Sequence, residues 1–180
     1  MRKASYWEAG PKNVVLCLLC PQYCKIQPGN VGVCRARKNV AGQLISLNYG
    51  EVTSLALDPI EKKPLYHFYP GSEILSVGTK GCNLSCGFCQ NWQISQADAE
   101  TYRTTPLRLA EVVADYGRKN ESIGLSYTYS EPLIWFEFVL ETAELVRGKG
   151  FKNVLVTNGH INEDPLKELI PYIDAMNIDV

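Results

Sequence analysis

Seven cysteines, all confined to two short stretches, constrain this chain more than any other feature. Cys17, Cys20, Cys24 and Cys34 are spaced C-x2-C-x3-C-x9-C, and Cys82, Cys86 and Cys89 are spaced C-x3-C-x2-C. An odd total argues against complete pairing as disulfides, and scattered core thiols would not cluster in this way. The spacing predicts two metal sites, one with four thiolate ligands and one with three. The chain starts on a basic stretch, Met1 to Glu8, with no apolar run behind it, so it does not read as a signal peptide. The expected compartment is the cytoplasm, where thiols stay reduced. No apolar run is long enough to predict a membrane span. Eighteen Lys and Arg against nineteen Asp and Glu give a net charge of −1. A balance of that kind gives no field for nucleic acid or anionic lipid, so neither is an expected partner.

Two zones follow along the chain. Residues 1–72 read as an irregular cysteine-rich module punctuated by the turn residues Pro21, Pro28, Gly29 and Gly32. Short strands are expected at 44–47 and 52–57, and Asp58 to Pro64 reads as a loop. From residue 73 onward strand and helix alternate. Strands are expected at 74–78, 123–129, 153–157 and 175–180. Thr105-Pro106 has the form of an N-cap and first helical position, with Gly117 as the stop. A second helix is expected from Pro132 to about Arg147, and a third after Asp164-Pro165.

Alternation of this kind implies right-handed crossovers and a parallel α/β sheet. Chemistry then gathers at the carboxyl ends of the strands. Thr79 and the three-cysteine group follow the first strand. Ser130 and Glu131 follow the second, Thr157, Asn158 and Gly159 the third, and Asp179 closes the fourth. Three thiolates on a short loop can hold three corners of a 4Fe–4S cube and leave one iron open to a small molecule. Gly81 and Gly87 let that loop fold tightly, and Phe88 can shield a cluster or pack on a flat ring. For the four N-terminal cysteines, structural zinc and a second iron–sulfur cluster both remain open. Arg35, Arg37 and Lys38, beside Cys34, offset thiolate charge. His67 reads as a packed histidine in an aromatic segment, and His160 as a loop residue near the rim.

The segment Gly81-Cys82-Asn83-Leu84-Ser85-Cys86-Gly87-Phe88-Cys89 resembles the radical S-adenosylmethionine superfamily. Finer matches resemble the AmmeMemoRadiSam-system radical enzymes, a group related to pyruvate formate-lyase activating enzymes. They are Asp58-Pro59-Ile60-Glu61-Lys62-Lys63-Pro64-Leu65, Tyr66-His67-Phe68, Pro70-Gly71-Ser72, Cys89-Gln90-Asn91-Trp92, Tyr127 to Pro132 and Thr157-Asn158-Gly159. The resemblance implies a partial (βα) barrel, here about four of roughly six βα units, behind an N-terminal cysteine-rich module. It implies a 4Fe–4S cluster on Cys82, Cys86 and Cys89 and S-adenosylmethionine on the open iron. Reductive cleavage then yields a 5′-deoxyadenosyl radical that takes hydrogen from a substrate. A flavodoxin or ferredoxin is the implied reductant, and kinship to glycyl-radical activases implies a protein substrate.

Where the family carries Gly-Gly-Glu, this chain reads Tyr129-Ser130-Glu131. Ser130 keeps a small residue at the backbone contact, and Glu131 keeps a carboxylate for the methionine amine. The alternative for Glu131 is a helix-start acid favoured by the macrodipole. Thr157 and Asn158 resemble ribose or carboxylate contacts, or else form an ordinary strand-ending turn. Asp179 resembles the acid of an Asp-x-Lys motif whose Lys falls beyond Val180, and the chain reads as the N-terminal portion of a longer enzyme. The alternative function is a non-catalytic iron–sulfur electron carrier or a zinc-binding interaction protein; a simple carrier normally holds its cluster with four cysteines.

Overall fold

A computed structural model describes residues 2–179. Its centre is a sheet in which Glu73–Gly78, Gly124–Tyr127, Lys152–Thr157 and Ala175–Ile178 run parallel, side by side in that order. Ser54–Pro59 adds an antiparallel strand at the edge, against Glu73–Gly78. The parallel strands are near-continuous apolar runs because both faces are covered: Ile74, Leu75, Val77, Leu125, Tyr127, Val154 and Leu155 are all buried. The four expected parallel strands and the observed ones differ only at their ends, and the last expected residue, Val180, lies outside the described residues; the strand expected at 52–57 is instead split into Glu51–Val52 and Ser54–Pro59, which belong to different sheets.

The crossover helices follow from the sequence signals. In Pro106–Arg118 the Thr105 hydroxyl accepts from the Arg108 amide at 3.1 Å, and Leu109, Ala110, Val113 and Ala114 bury one face. Phe136–Gly148 buries Phe138, Val139, Ala143 and Val146, and Glu163–Leu169 carries Leu169 inward. Two expectations need correction here. Gly117 is not a stop, because the helix runs through it to Arg118. Glycine is required there by packing: a Cβ would stand 1.9 Å from the Phe151 ring. The segment Pro132–Trp135 is a 3-10 turn, and the α-helix begins only at Phe136.

The N-terminal zone is also more ordered than its composition suggests. Trp7–Ala9, Val15–Cys17 and Lys25–Ile26 form one small antiparallel sheet, and Arg2–Lys3, Gln43–Ser46 and Arg37–Val40 form another. Turn residues are dense because these strands are only two to four residues long. Val15, Leu19, Ile26 and Leu44 join the same buried cluster as Leu75, Leu125 and Phe136.

The stretch expected as a loop at 58–64 is instead the end of an edge strand followed by the 3-10 turn Ile60–Lys62. Asp58 and Lys63 form a buried ion pair at 2.7 Å, and the Tyr129 hydroxyl donates to the same carboxylate at 2.5 Å. A charged sequence reads as solvated, but here Asp58 and Lys63 are enclosed and neutralise each other. His67, expected to be packed, is exposed.

Candidate metal and cofactor site

Each parallel strand delivers its last polar residues to one rim, and hydrogen bonds tie those ends together. The Ser130 hydroxyl donates to the Thr79 carbonyl at 2.6 Å, joining the first and second strands. Glu131 joins the second to the third. Its carboxylate accepts from the Thr157 hydroxyl at 2.6 Å, the Asn158 amide at 2.9 Å and the Leu133 amide at 2.8 Å. The Asp179 amide donates to the Thr157 carbonyl at 2.9 Å, which brings the fourth strand end alongside.

Glu131 is buried, and burial raises its carboxyl above the usual range against the lowering effect of those three donors. Its role as a helix-start acid is real, since it accepts from Leu133 two residues on, but it is enclosed rather than solvated. Three donors leave part of the carboxylate's acceptor capacity free.

The three-cysteine loop lies against this rim. Asn158 donates from its side chain to Asn83 Oδ1 at 3.0 Å and reaches Cys82 Sγ at 3.8 Å. The Leu84 amide points at the same sulfur from 3.4 Å. Ser95 Oγ lies 3.2 Å from Cys89 Sγ. Cys82 and Cys89 are half-buried and Cys86 is exposed. Burial pushes the Cys82 thiol up to about 11. Gly81 adopts φ +95°, and a Cβ there would stand 2.5 Å from the Cys34 carbonyl, so only glycine lets the two cysteine regions approach so closely. Phe88 is 90% exposed and does not cover the loop. The Asp179 side chain is also exposed and accepts from Asn177.

Among the described residues no three Cys, His, Asp or Glu side chains converge on the spacing of one ion. At the three-cysteine loop a cube would spread its ligands around several metal atoms. The donor set is also suitable: three free thiols, hydrogen-bond donors aimed at sulfur, and open space beside Gly87.

Asn83 is the contact that the sequence alone did not single out. It is buried, donates to the His160 carbonyl at 2.7 Å and accepts at its own carbonyl from Gln22 at 2.9 Å. His160 therefore enters the site through its backbone. The position of Asn83 directly after the first loop cysteine was the only available signal.

The four N-terminal cysteines come together at one small cavity, with Arg37, Asn83 and Ile134 in its wall. Cys17, Cys20 and Cys34 are buried and Cys24 is half-buried. Arg37 is buried beside them and pairs with Glu137 of the second helix at 2.8 Å. Arg35 instead donates to the Ser95 carbonyl, behind the three-cysteine loop.

A parallel α/β sheet with three thiols at the carboxyl end of its first parallel strand defines a cluster-binding class. The comparison with known proteins agrees: residues 76–180 match the Radical SAM superfamily, and the chain belongs to that superfamily. The family implies a 4Fe–4S cluster and S-adenosylmethionine. An uncharacterized protein of Methanocaldococcus jannaschii is 46% identical over 183 aligned residues, covering 100% of this chain and 53% of its own length. The 7-carboxy-7-deazaguanine synthase of the same organism is 25% identical over 122 residues, 62% of this chain and 48% of that protein. The chain thus spans about half the length of the curated relatives it matches. Among the described residues no helix is long and apolar enough to cross a membrane.

Proposed function

We propose that Cys82, Cys86 and Cys89 hold a 4Fe–4S cluster whose open iron takes S-adenosylmethionine, in a cytoplasmic enzyme of the AmmeMemoRadiSam type related to pyruvate formate-lyase activating enzymes. The observation that carries this reading is the convergence of strand ends on Cys82, with Asn158 reaching its sulfur and Glu131 held directly behind Asn158. In the full reading, residues 1–72 are a cysteine-rich module and residues 73–180 belong to a partial barrel. The substrate is a protein, the reductant is a flavodoxin or ferredoxin, and the N-terminal cysteines form a second metal site.

With both groups bound, the cluster on Cys82, Cys86 and Cys89 would supply one-electron cleavage of the sulfonium, and with it hydrogen-atom abstraction from a substrate. This chain's residues do the positioning. Glu131 has acceptor capacity left for an ammonium group, and its three internal donors fix its orientation. Ser130 keeps the second strand end tied to the first, so the backbone there is a fixed wall. Thr157 and Asn158 offer polar contacts for ribose or carboxylate, and Asp179 lies at the end of the same rim. Phe88, in solvent on the same loop, would be the residue to fold over a bound ring.

Anaerobic reconstitution tests the reading. Adding S-adenosylmethionine should change the paramagnetic spectrum of the reduced cluster, and dithionite should release 5′-deoxyadenosine from the family-length protein. An unchanged spectrum excludes the open-iron site.

A further inference from the structure

The cavity beneath the N-terminal cysteines carries an inference about which metal they bind. It is small, about 10 Å³, and lined by Cys17, Cys20, Cys24 and Cys34 together with Arg37 and Asn83. A cavity of that size admits about one water-sized sphere. A single ion fits this description, whereas a cube of irons and sulfides needs the room of several atoms.

A second observation points into the same cavity. Arg37 is 1% exposed, and its two terminal nitrogens are satisfied: one donates to the Ser5 carbonyl, the other to both oxygens of Glu137. Its Nε–H, however, has no partner. A buried donor without an acceptor is costly, and a guanidinium more so. The cysteines are the acceptors lining the wall beside it. A metal-bound thiolate is anionic and accepts hydrogen bonds well, whereas a neutral thiol accepts weakly.

Resting on the reading that these four cysteines are metal ligands, we infer that they bind one divalent ion of the zinc class as a closed tetrahedral site, with Arg37 Nε–H donating to a bound thiolate. Because the sulfurs share a cavity without standing at ion spacing, ligation turns the thiols inward about their Cα–Cβ bonds. Each loses its proton to solvent as its bond to the metal forms, and no redox change is involved. The ion then lies where the N-terminal knuckle, the Asn83 turn and the Ile134 segment meet. Such a site stabilises a module too small for a large core of its own.

The test is metal analysis of the full chain carrying Cys82→Ala, Cys86→Ala and Cys89→Ala. The expected result is about one zinc and no iron per chain. About four irons per chain would overturn the single-ion inference while keeping a metal at these cysteines. A folded chain without metal would overturn the metal reading itself. Should the triple variant not fold, the unmodified reconstituted chain separates the same outcomes: about one zinc beside about four irons supports the inference, and about eight irons without zinc overturns it.

The role of Arg37 is read separately, in an Arg37→Gln, Glu137→Gln double variant that removes both members of the ion pair. Competition with a chromophoric chelator should show metal affinity about 10–100-fold weaker, as for other lost outer-shell partners. Cobalt substituted for zinc should show a shifted thiolate charge-transfer band. Unchanged affinity and spectrum would remove Arg37 from the site.

Discussion

The two cysteine regions sit back to back, yet they are built in opposite ways. The N-terminal four line a small cavity whose wall includes a buried arginine, and three of them are buried. The Cys82–Cys89 group lies on an open loop: Cys86 is exposed, Phe88 stands in solvent and nothing lies near Gly87. Closed thiolate sites stabilise, while chemistry needs an open coordination position and access for small molecules. Four thiols around one small cavity and three thiols beside an open rim are the arrangements that the two proposed roles call for. Gly81 is the joint between them, since any larger residue would press on the Cys34 carbonyl.

The sharpest way to break this contrast is to remove the open site. Cys82→Ala, Cys86→Ala or Cys89→Ala should each abolish the low-potential cluster signal in anaerobic spectra, a complete loss. If all three single variants keep a full cluster, the open loop is not the metal centre.

The next largest effect belongs to the closed side. Arg37→Met leaves the Glu137 carboxylate, 4% exposed, without its cation. Removing one partner of a buried pair costs about 3–5 kcal/mol, and urea unfolding should show it. A loss of only about 0–1 kcal/mol, the range for exposed pairs, would mean that the knuckle is not anchored to the second helix through this contact.

These two tests also separate what was legible in the sequence from what was not. The parallel strands were legible because burial on both faces writes continuous apolar runs, as in Ile74 to Val77. The Thr105-Pro106 cap was legible because its geometry is local. Cysteine spacing placed both thiol groups, and strand order placed Glu131, Thr157 and Asn158 at one rim. Contacts between residues far apart in the chain were not legible. Arg37 and Glu137 are one hundred residues apart, and Gln22 meets the Asn83 carbonyl across sixty-one. Asp58 and Lys63 are close in sequence, yet their charges read as solvent-facing until Tyr129 and the edge strand enclose them. Phe88 reads as shielding because aromatic rings usually bury, whereas here the ring is in solvent.

Glu131 sharpens the comparison from the rim side. Glu131→Gln should weaken S-adenosylmethionine binding by about 1.5–3 kcal/mol, the scale of a lost hydrogen bond to a charged group. Equilibrium titration of the reconstituted, family-length protein measures it. The variant also places an NH2 group among the Thr157, Asn158 and Leu133 donors, so its melting temperature should fall. A lower melting temperature with unchanged affinity would assign Glu131 to bracing alone.

The smallest effect comes from a buried charge cluster that contains no thiol, the natural control for the two that do. Burial alone would raise the Asp58 carboxyl, but hydrogen bonds from Lys62, Lys63 and Tyr129 outweigh it and hold the group well below the usual carboxylate range. A depressed folded value means that the carboxylate stabilises the fold above the unfolded pKa of about 3.9. That contribution is lost as pH falls below this value toward the folded one, so urea midpoints should hold near neutrality and drop only under acid. Within the cluster the two lysines differ. Lys63 is buried, whereas the Lys62 side chain is 61% exposed in an i,i+4 pair with Asp58. Lys62→Met should therefore cost only about 0.3–0.5 kcal/mol at pH 7, because solvent already screens that pair and Lys63 still neutralises Asp58. A cost of several kcal/mol would show that the exposed lysine, rather than the enclosed one, holds the edge strand to the sheet.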